Sequence, residues 1–190
     1  MNTGDKLILA AIDLIAEQGY DGTTTKEIAA AAGVNEVTLF RHFGSKQGLL
    51  IAAFERHHYA GEMTKLFNER LTGDVRTDLL LIARTYHAAM NRNRKLISIA
   101  QKGGSRLPED VYKHAAQHPV QLKKLLTNYF ATLLEEGKLA PIDPETTAMS
   151  FMWMNLGAFS SNLAENSNSS VTLDTFIERS VELFVRALTP

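Results

Sequence analysis

Apolar residues recur at Leu7, Ala10, Ala11, Leu14 and Ile15, the three-then-four spacing of an amphipathic helix, and Gly19 marks its end. Over 23–46 the pattern changes to two short helices around a sharp turn, followed at once by a third helix start. Thr24 and Glu27 have the spacing of a capping box, and Ile28, Ala29 and Ala32 form the apolar side of the first short helix. Gly33 supplies a turn in which a Cβ would be strained. Val34, Leu39 and Phe43 return apolar side chains to the core from the second short helix, leaving Asn35, Glu36, Thr38, Arg41 and His42 on its other face. A short helix with an uncommitted polar face suits insertion into a DNA major groove. Ser45 then caps a fourth helix through Gln47, Leu49, Leu50, Ala53 and Phe54.

Further along, Leu79, Ile82, Ala83, Tyr86 and Met90 predict one long helix over 75–101, broken by Gly103, Gly104 and Pro108. A short helix is expected near 109–117, with Pro119 in the first turn of the next, which runs to Glu136 and closes at Gly137. Asp143, Pro144 and Glu145 combine a cap, a first-position proline and an acid in the first turn. The helix they open is apolar almost all round, so it must be covered on more than one side. A polar stretch over 164–171 precedes a strongly amphipathic last helix carrying Phe176, Val181, Phe184, Val185 and Leu188. No stretch alternates with period two and no repeat is present. The reading is an all-α chain of about nine helices. The last two long helices suit a four-helix bundle between two subunits, with Gly157 permitting close approach; the alternative is that they complete the monomer's own core.

Composition narrows the function. In 190 residues there is no cysteine, which removes disulfides, thiol catalysis and Cys-based zinc sites. No continuous apolar run is long enough for a membrane span and the start lacks a signal-peptide core, so a soluble cytoplasmic protein is expected, without membrane partners. His114 and His118 stand four apart, but no nearby acid completes a metal set, and His57–His58 reads as a solvated pair. No phosphate loop or nucleophile motif appears, so neither an enzyme nor a cofactor is expected. Acids outnumber Lys6, Lys26, Arg41 and Lys46 in the first 50 residues. That balance predicts modest DNA affinity per protomer and a need for dimerisation.

The leading helix LILAAIDLIAEQGYDGTT, the KEIAAAAGV unit, the TLFRHF segment and SKQGLL together resemble the TetR family of bacterial transcriptional regulators. The resemblance is specific over about the first 50 residues and architectural beyond them. It implies a three-helix helix-turn-helix DNA-binding domain over 1–50 and a helical effector-binding and dimerisation domain over 51–190. It also carries roles onto positions: Thr25, His42 and Lys46 match phosphate-contacting positions, and Lys26 matches one that reaches a base. Asn35, Glu36, Val37, Thr38, Phe40 and Arg41 match the groove-facing side. Phe40 departs from the family's usual tyrosine, so a phosphate hydrogen bond is lost and apolar or thymine-methyl contact remains. The implied function is a homodimeric repressor on a palindromic double-stranded operator, released by a small-molecule effector. The competing expectation is a ligand-independent architectural or interaction protein using the same DNA unit; a cavity in the C-terminal domain would favour the first, and a filled core the second. For the effector, Tyr86, His87 and Met90 could face Tyr129, Phe130, Met152, Trp153 and Phe159, with Asn155 as a polar contact. Ordinary core packing is the alternative for each of these.

Overall fold

Polar residues standing just before each apolar run act as helix caps, and they set the element boundaries. Asn2 and Asp5 form a capping box at the start of α1 (Thr3–Gln18), and Thr24 and Glu27 form one at α2 (Thr25–Ala31). The Asn35 side chain accepts from Val37 N–H to open α3 (Glu36–Phe43), and Ser45 accepts from Gly48 N–H to open α4 (Lys46–Arg56). Between α2 and α3, Gly33 adopts φ +70°, a conformation that any side chain would strain. The chain continues through α5 (Ala60–Glu69), α6 (Val75–Arg92), α7 (Arg94–Gly103), a 3-10 turn (Gly104–Arg106), α8 (Glu109–Glu135), α9 (Pro144–Ser160) and α10 (Leu173–Leu188). The computed structural model describes residues 1–57, 59–165 and 170–189. His58, and residues 166–169 of the predicted polar stretch, lie outside the described residues. Among the described residues every regular element is helical and no strand occurs. Among the described residues there are ten α-helices, against the expectation of about nine.

Two boundaries differ from the pattern-based reading. The helix expected over 75–101 is interrupted at Asn93, whose φ −107° and ψ 21° leave the helical region. Periodicity alone hid the break, because Leu96 and Ile99 resume an apolar pattern immediately beyond it. Conversely, α8 runs unbroken through Pro119. Proline removes one backbone donor and crowds the preceding turn. Here that local cost is outweighed by buried side chains on both sides, Val111 before it and Leu122, Leu126, Phe130 and Leu133 after it.

The chain forms two compact units. The first comprises Met1–His58 with Asn93–His118, and the second Tyr59–Arg92 with Pro119–Pro190. The packing unit around the helix-turn-helix thus extends beyond the first 50 residues: Leu96, Ile99, Leu107 and Val111 join Leu7, Ile8, Leu39, Leu49 and Phe54 in one core. In the second unit Leu79, Ile82, Phe130, Phe151, Ile177 and Val181 are buried. Its polar anchor is Asp78, fully buried. The carboxylate accepts from Thr72 N–H (2.8 Å), Thr72 Oγ1 (3.0 Å), Gly73 N–H (2.8 Å) and Tyr129 Oη (3.0 Å). No helix among the described residues is long and apolar enough to cross a membrane.

Candidate functional site

The first unit presents α3 on its surface. Leu39 is fully buried, which fixes the rotation of this eight-residue helix. The opposite side is thereby committed to solvent: Val37 is 72% exposed, Phe40 47%, and Asn35, Arg41 and His42 are exposed with them. Glu36 and Thr38 are half-buried. Lys26 is exposed on α2, and among the described residues neither Lys26 nor Arg41 pairs with a carboxylate. Thr25 and Glu36 meet across the turn, Thr25 Oγ1 donating to Glu36 Oε1 at 2.6 Å. This bond ties the start of α2 to the first turn of α3 and sets the relative placement of the two helices.

Lys46 is placed differently from the other predicted DNA-contacting residues. Its ammonium donates to Tyr20 O (2.6 Å) and Thr23 O (2.7 Å) and lies 4.1 Å from the centre of the Tyr20 ring. Partial burial lowers its pKa, opposed by the nearby Asp21 carboxylate. The cation therefore holds the segment between α1 and α2 in place from the start of α4. Tyr20, which sequence reasoning missed, is the seat of that interaction. Burial, and then Asp21, hold its phenol above the usual range. No periodic pattern marks Tyr20, because it lies outside any helix.

In the second unit the residues expected at an effector pocket separate into three groups. Tyr86, Met152 and Asn155 do line a common cavity, together with Ile82, Leu122, Leu126 and Phe151, but it measures about 10 Å³. That is room for roughly one water molecule. His87 joins the group through Asn155, its Nε2 lying 3.1 Å from Asn155 Oδ1, while Asn155 Nδ2 donates to Phe151 O at 2.8 Å. Met90, Phe130 and Phe159 are buried in the core, and Tyr129 is engaged by Asp78, with its phenol pushed up by burial and by that carboxylate. Trp153 departs from the expected inward placement: it is 56% exposed and is not among the residues lining that cavity. The all-round apolar character of α9 gave no means of telling its inner face from its outer one.

Trp153 instead belongs to an outward apolar face. Met149 precedes it by one helical turn and is also exposed, and Leu183 on α10 is 68% exposed. Leu183, Phe184, Ala187 and Leu188 line an open groove of about 290 Å³ with Thr146, Thr147 and Ser150 of α9. Phe184 is only half-exposed and stacks edge-on against Phe151, ring centres 5.2 Å apart.

Comparison with known proteins agrees with this geometry. Residues 7–53 match the sequence profile of bacterial regulatory proteins of the tetR family. The chain is 31% identical over 187 residues to the HTH-type transcriptional regulator YvkB of Bacillus subtilis, covering 98% of this chain and 97% of that protein. AibR, solved in complex with isovaleryl coenzyme A and operator DNA, shares the fold with a TM-score of 0.73 at 20% identity, covering 96% of this chain and 97% of AibR. FadR from Bacillus subtilis, solved with stearoyl-CoA, gives 0.76 at 18% identity over 96% of this chain and 98% of FadR. A full-length relative, a matching N-terminal profile and a surface helix in the recognition position lead to one conclusion. The chain belongs to the TetR family of bacterial helix-turn-helix proteins and is a DNA-binding transcriptional regulator, not an enzyme.

Proposed function

We propose that this regulator is a homodimeric repressor, acting in the cytoplasm, that binds a palindromic operator and is released by a small apolar effector. The exposed face of α3 is the observation that carries the reading. Its buried Leu39 orients Asn35, Val37, Thr38, Phe40 and Arg41 toward a major groove, while Thr25, Lys26 and His42 flank it for the backbone. Glu36 and Lys46 act mainly by positioning, since each is held by a contact within the protein. DNA recognition is assigned to 1–50, and dimerisation and effector binding to 51–190.

Dimerisation is supported by Met149, Trp153 and Leu183, three large apolar side chains left uncovered on α9 and α10. Leu183→Glu should leave a folded chain that sediments as a monomer and binds operator at least tenfold more weakly, since a charge buried without a partner costs several kcal/mol. Persistence of a full dimer at micromolar concentration would remove this interface. Effector control is supported by the small-molecule complexes of AibR and FadR and by a buried polar pair, His87 and Asn155, that offers an orienting contact beside an apolar cavity. At about 10 Å³ the cavity is too small for an effector in this conformation, so binding requires the side chains of α6, α8 and α9 to separate. An effector that does so should weaken operator binding by about 5- to 150-fold, and operator should weaken effector binding equally.

The filled core also favours a second reading, a ligand-independent DNA binder. A panel of acyl-CoA thioesters and apolar acids, scored for operator release and for thermal shift, separates the two. If no compound produces either effect, the second reading stands.

A further inference from the structure

The geometry points to a small-molecule site inside the first unit: a cleft between α1 and α7 that takes a zwitterion with an apolar side chain, an amino acid or dipeptide. The two helices treat their opposite charges differently at the two ends of their contact. At one end Lys95 Nζ donates to Asp13 Oδ1 at 2.8 Å and closes it. Glu17 lies one helical turn beyond Asp13, and Lys102 two turns beyond Lys95, so the C-termini of both helices point to the other end. There Glu17 and Asp21 stand on the α1 side and Lys102 and Arg106 on the α7 side, and among the described residues none of the four forms an ion pair. The cleft that they line measures about 370 Å³, a ligand-sized space, against about 10 Å³ for the cavity in the second unit.

The walls specify both ends of the ligand. α1 carries no basic residue in its last turn, so its C-terminal carbonyls and Glu17 leave a negative potential that an ammonium group compensates. Lys102 and Arg106 accept a carboxylate opposite, the guanidinium through paired N–H groups. A simple anion would meet Glu17 and Asp21, and a simple cation would meet Lys102 and Arg106; a zwitterion answers both walls. The floor is apolar, formed by the buried Ile15, Ile99 and Leu107. Gly103 lets Leu107 reach this floor, since a Cβ there would stand 2.5 Å from Leu107 Cγ.

Isothermal titration calorimetry of the full-length protein with L-phenylalanine and with L-leucyl-L-phenylalanine tests the site. At least one of them should bind once per chain, with a Kd of about 1 mM or tighter. Its N-acetyl derivative, which lacks the ammonium, and its amide, which lacks the carboxylate, should each bind roughly tenfold more weakly, the loss of one charge-assisted contact. Glu17→Gln should erase the advantage of the zwitterion over the N-acetyl derivative, and Arg106→Gln its advantage over the amide. Both side chains are exposed, so circular dichroism of the variants should match that of the parent. Absence of binding by either zwitterion up to about 10 mM would overturn the inference. So would binding that neither substitution alters.

Discussion

α3 and the inner face of α9 break the usual rule of residue placement in opposite senses. α3 carries two large apolar side chains outward, Val37 and Phe40, whereas α9 carries a polar side chain inward, Asn155, which is 2% exposed and bonded to the equally buried His87. On α3 the anomaly has no remedy within the first unit and calls for a surface that will cover it. On α9 the anomaly is resolved inside the second unit by a hydrogen bond across helices. The difference teaches where each region's specification comes from. The helix-turn-helix is built by contacts between near neighbours in sequence, such as Thr24 with Glu27, Asn35 with Val37 and Ser45 with Gly48. The second unit depends on partners far apart in the chain: Asp78 with Tyr129, His87 with Asn155 and Arg84 with Glu178.

The sharpest way to break the comparison is at the long-range anchor. Asp78→Ala removes the buried acceptor of four hydrogen bonds, from exposed Thr72 and from half-buried Gly73 and Tyr129. A loss of about 4 kcal/mol is expected, read by denaturant unfolding, with hydrogen exchange rising in α6 and α8. If the loss were under about 1 kcal/mol, the second unit would owe little to that anchor.

Next in size is Lys46→Met, which keeps the aliphatic stem and deletes two charge-assisted hydrogen bonds to Tyr20 and Thr23 carbonyls. Stability should fall by about 2 kcal/mol. The salt dependence of DNA binding separates positioning from phosphate contact: a positioning cation leaves the slope unchanged, whereas a phosphate contact lowers it by about one unit. A slope lowered by that amount with stability unaltered would return Lys46 to the phosphate backbone.

A smaller effect tests the buried pair on α6 and α9. His87→Leu or Asn155→Leu alone should cost about 1–3 kcal/mol, because the remaining partner is left buried without its bond. The double variant should recover most of that loss. If His87 and Asn155 also orient an effector, the double variant should fold normally and lose effector-induced release. The smallest expected change is Thr24→Ala, which deletes one cap of the recognition unit and should cost about 1 kcal/mol in thermal unfolding. An effect well above that would mean that the helix-turn-helix depends on Thr24 beyond local capping.

Legibility along the chain follows the same division. The caps at Thr24, Ser45 and Asp143, the Gly33 turn and the core-facing Leu39 were all readable, because each depends on residues within about one helical turn. Pro119 misled for the complementary reason: its local preference opposes a continuous helix, and apolar burial on both sides overrides it. Trp153 misled because a helix apolar on every side has no moment to orient it. The outward position of Trp153 follows only from how α9 sits among its neighbours in the second unit.

The sequence by itself determined the all-helical class, the helix-turn-helix with its caps and the inward turn of Leu39 that leaves Asn35, Arg41 and His42 on the outer side of α3, since short-range hydrogen bonding and 3.6-residue periodicity suffice for these. Only the tertiary structure decided that Lys46 turns toward the Tyr20 ring, that His87 finds Asn155 68 residues away, and that the core between α6, α8 and α9 closes to about 10 Å³. Each of these is the meeting of groups distant in sequence, and the energy of such a meeting depends on packing that no local pattern encodes.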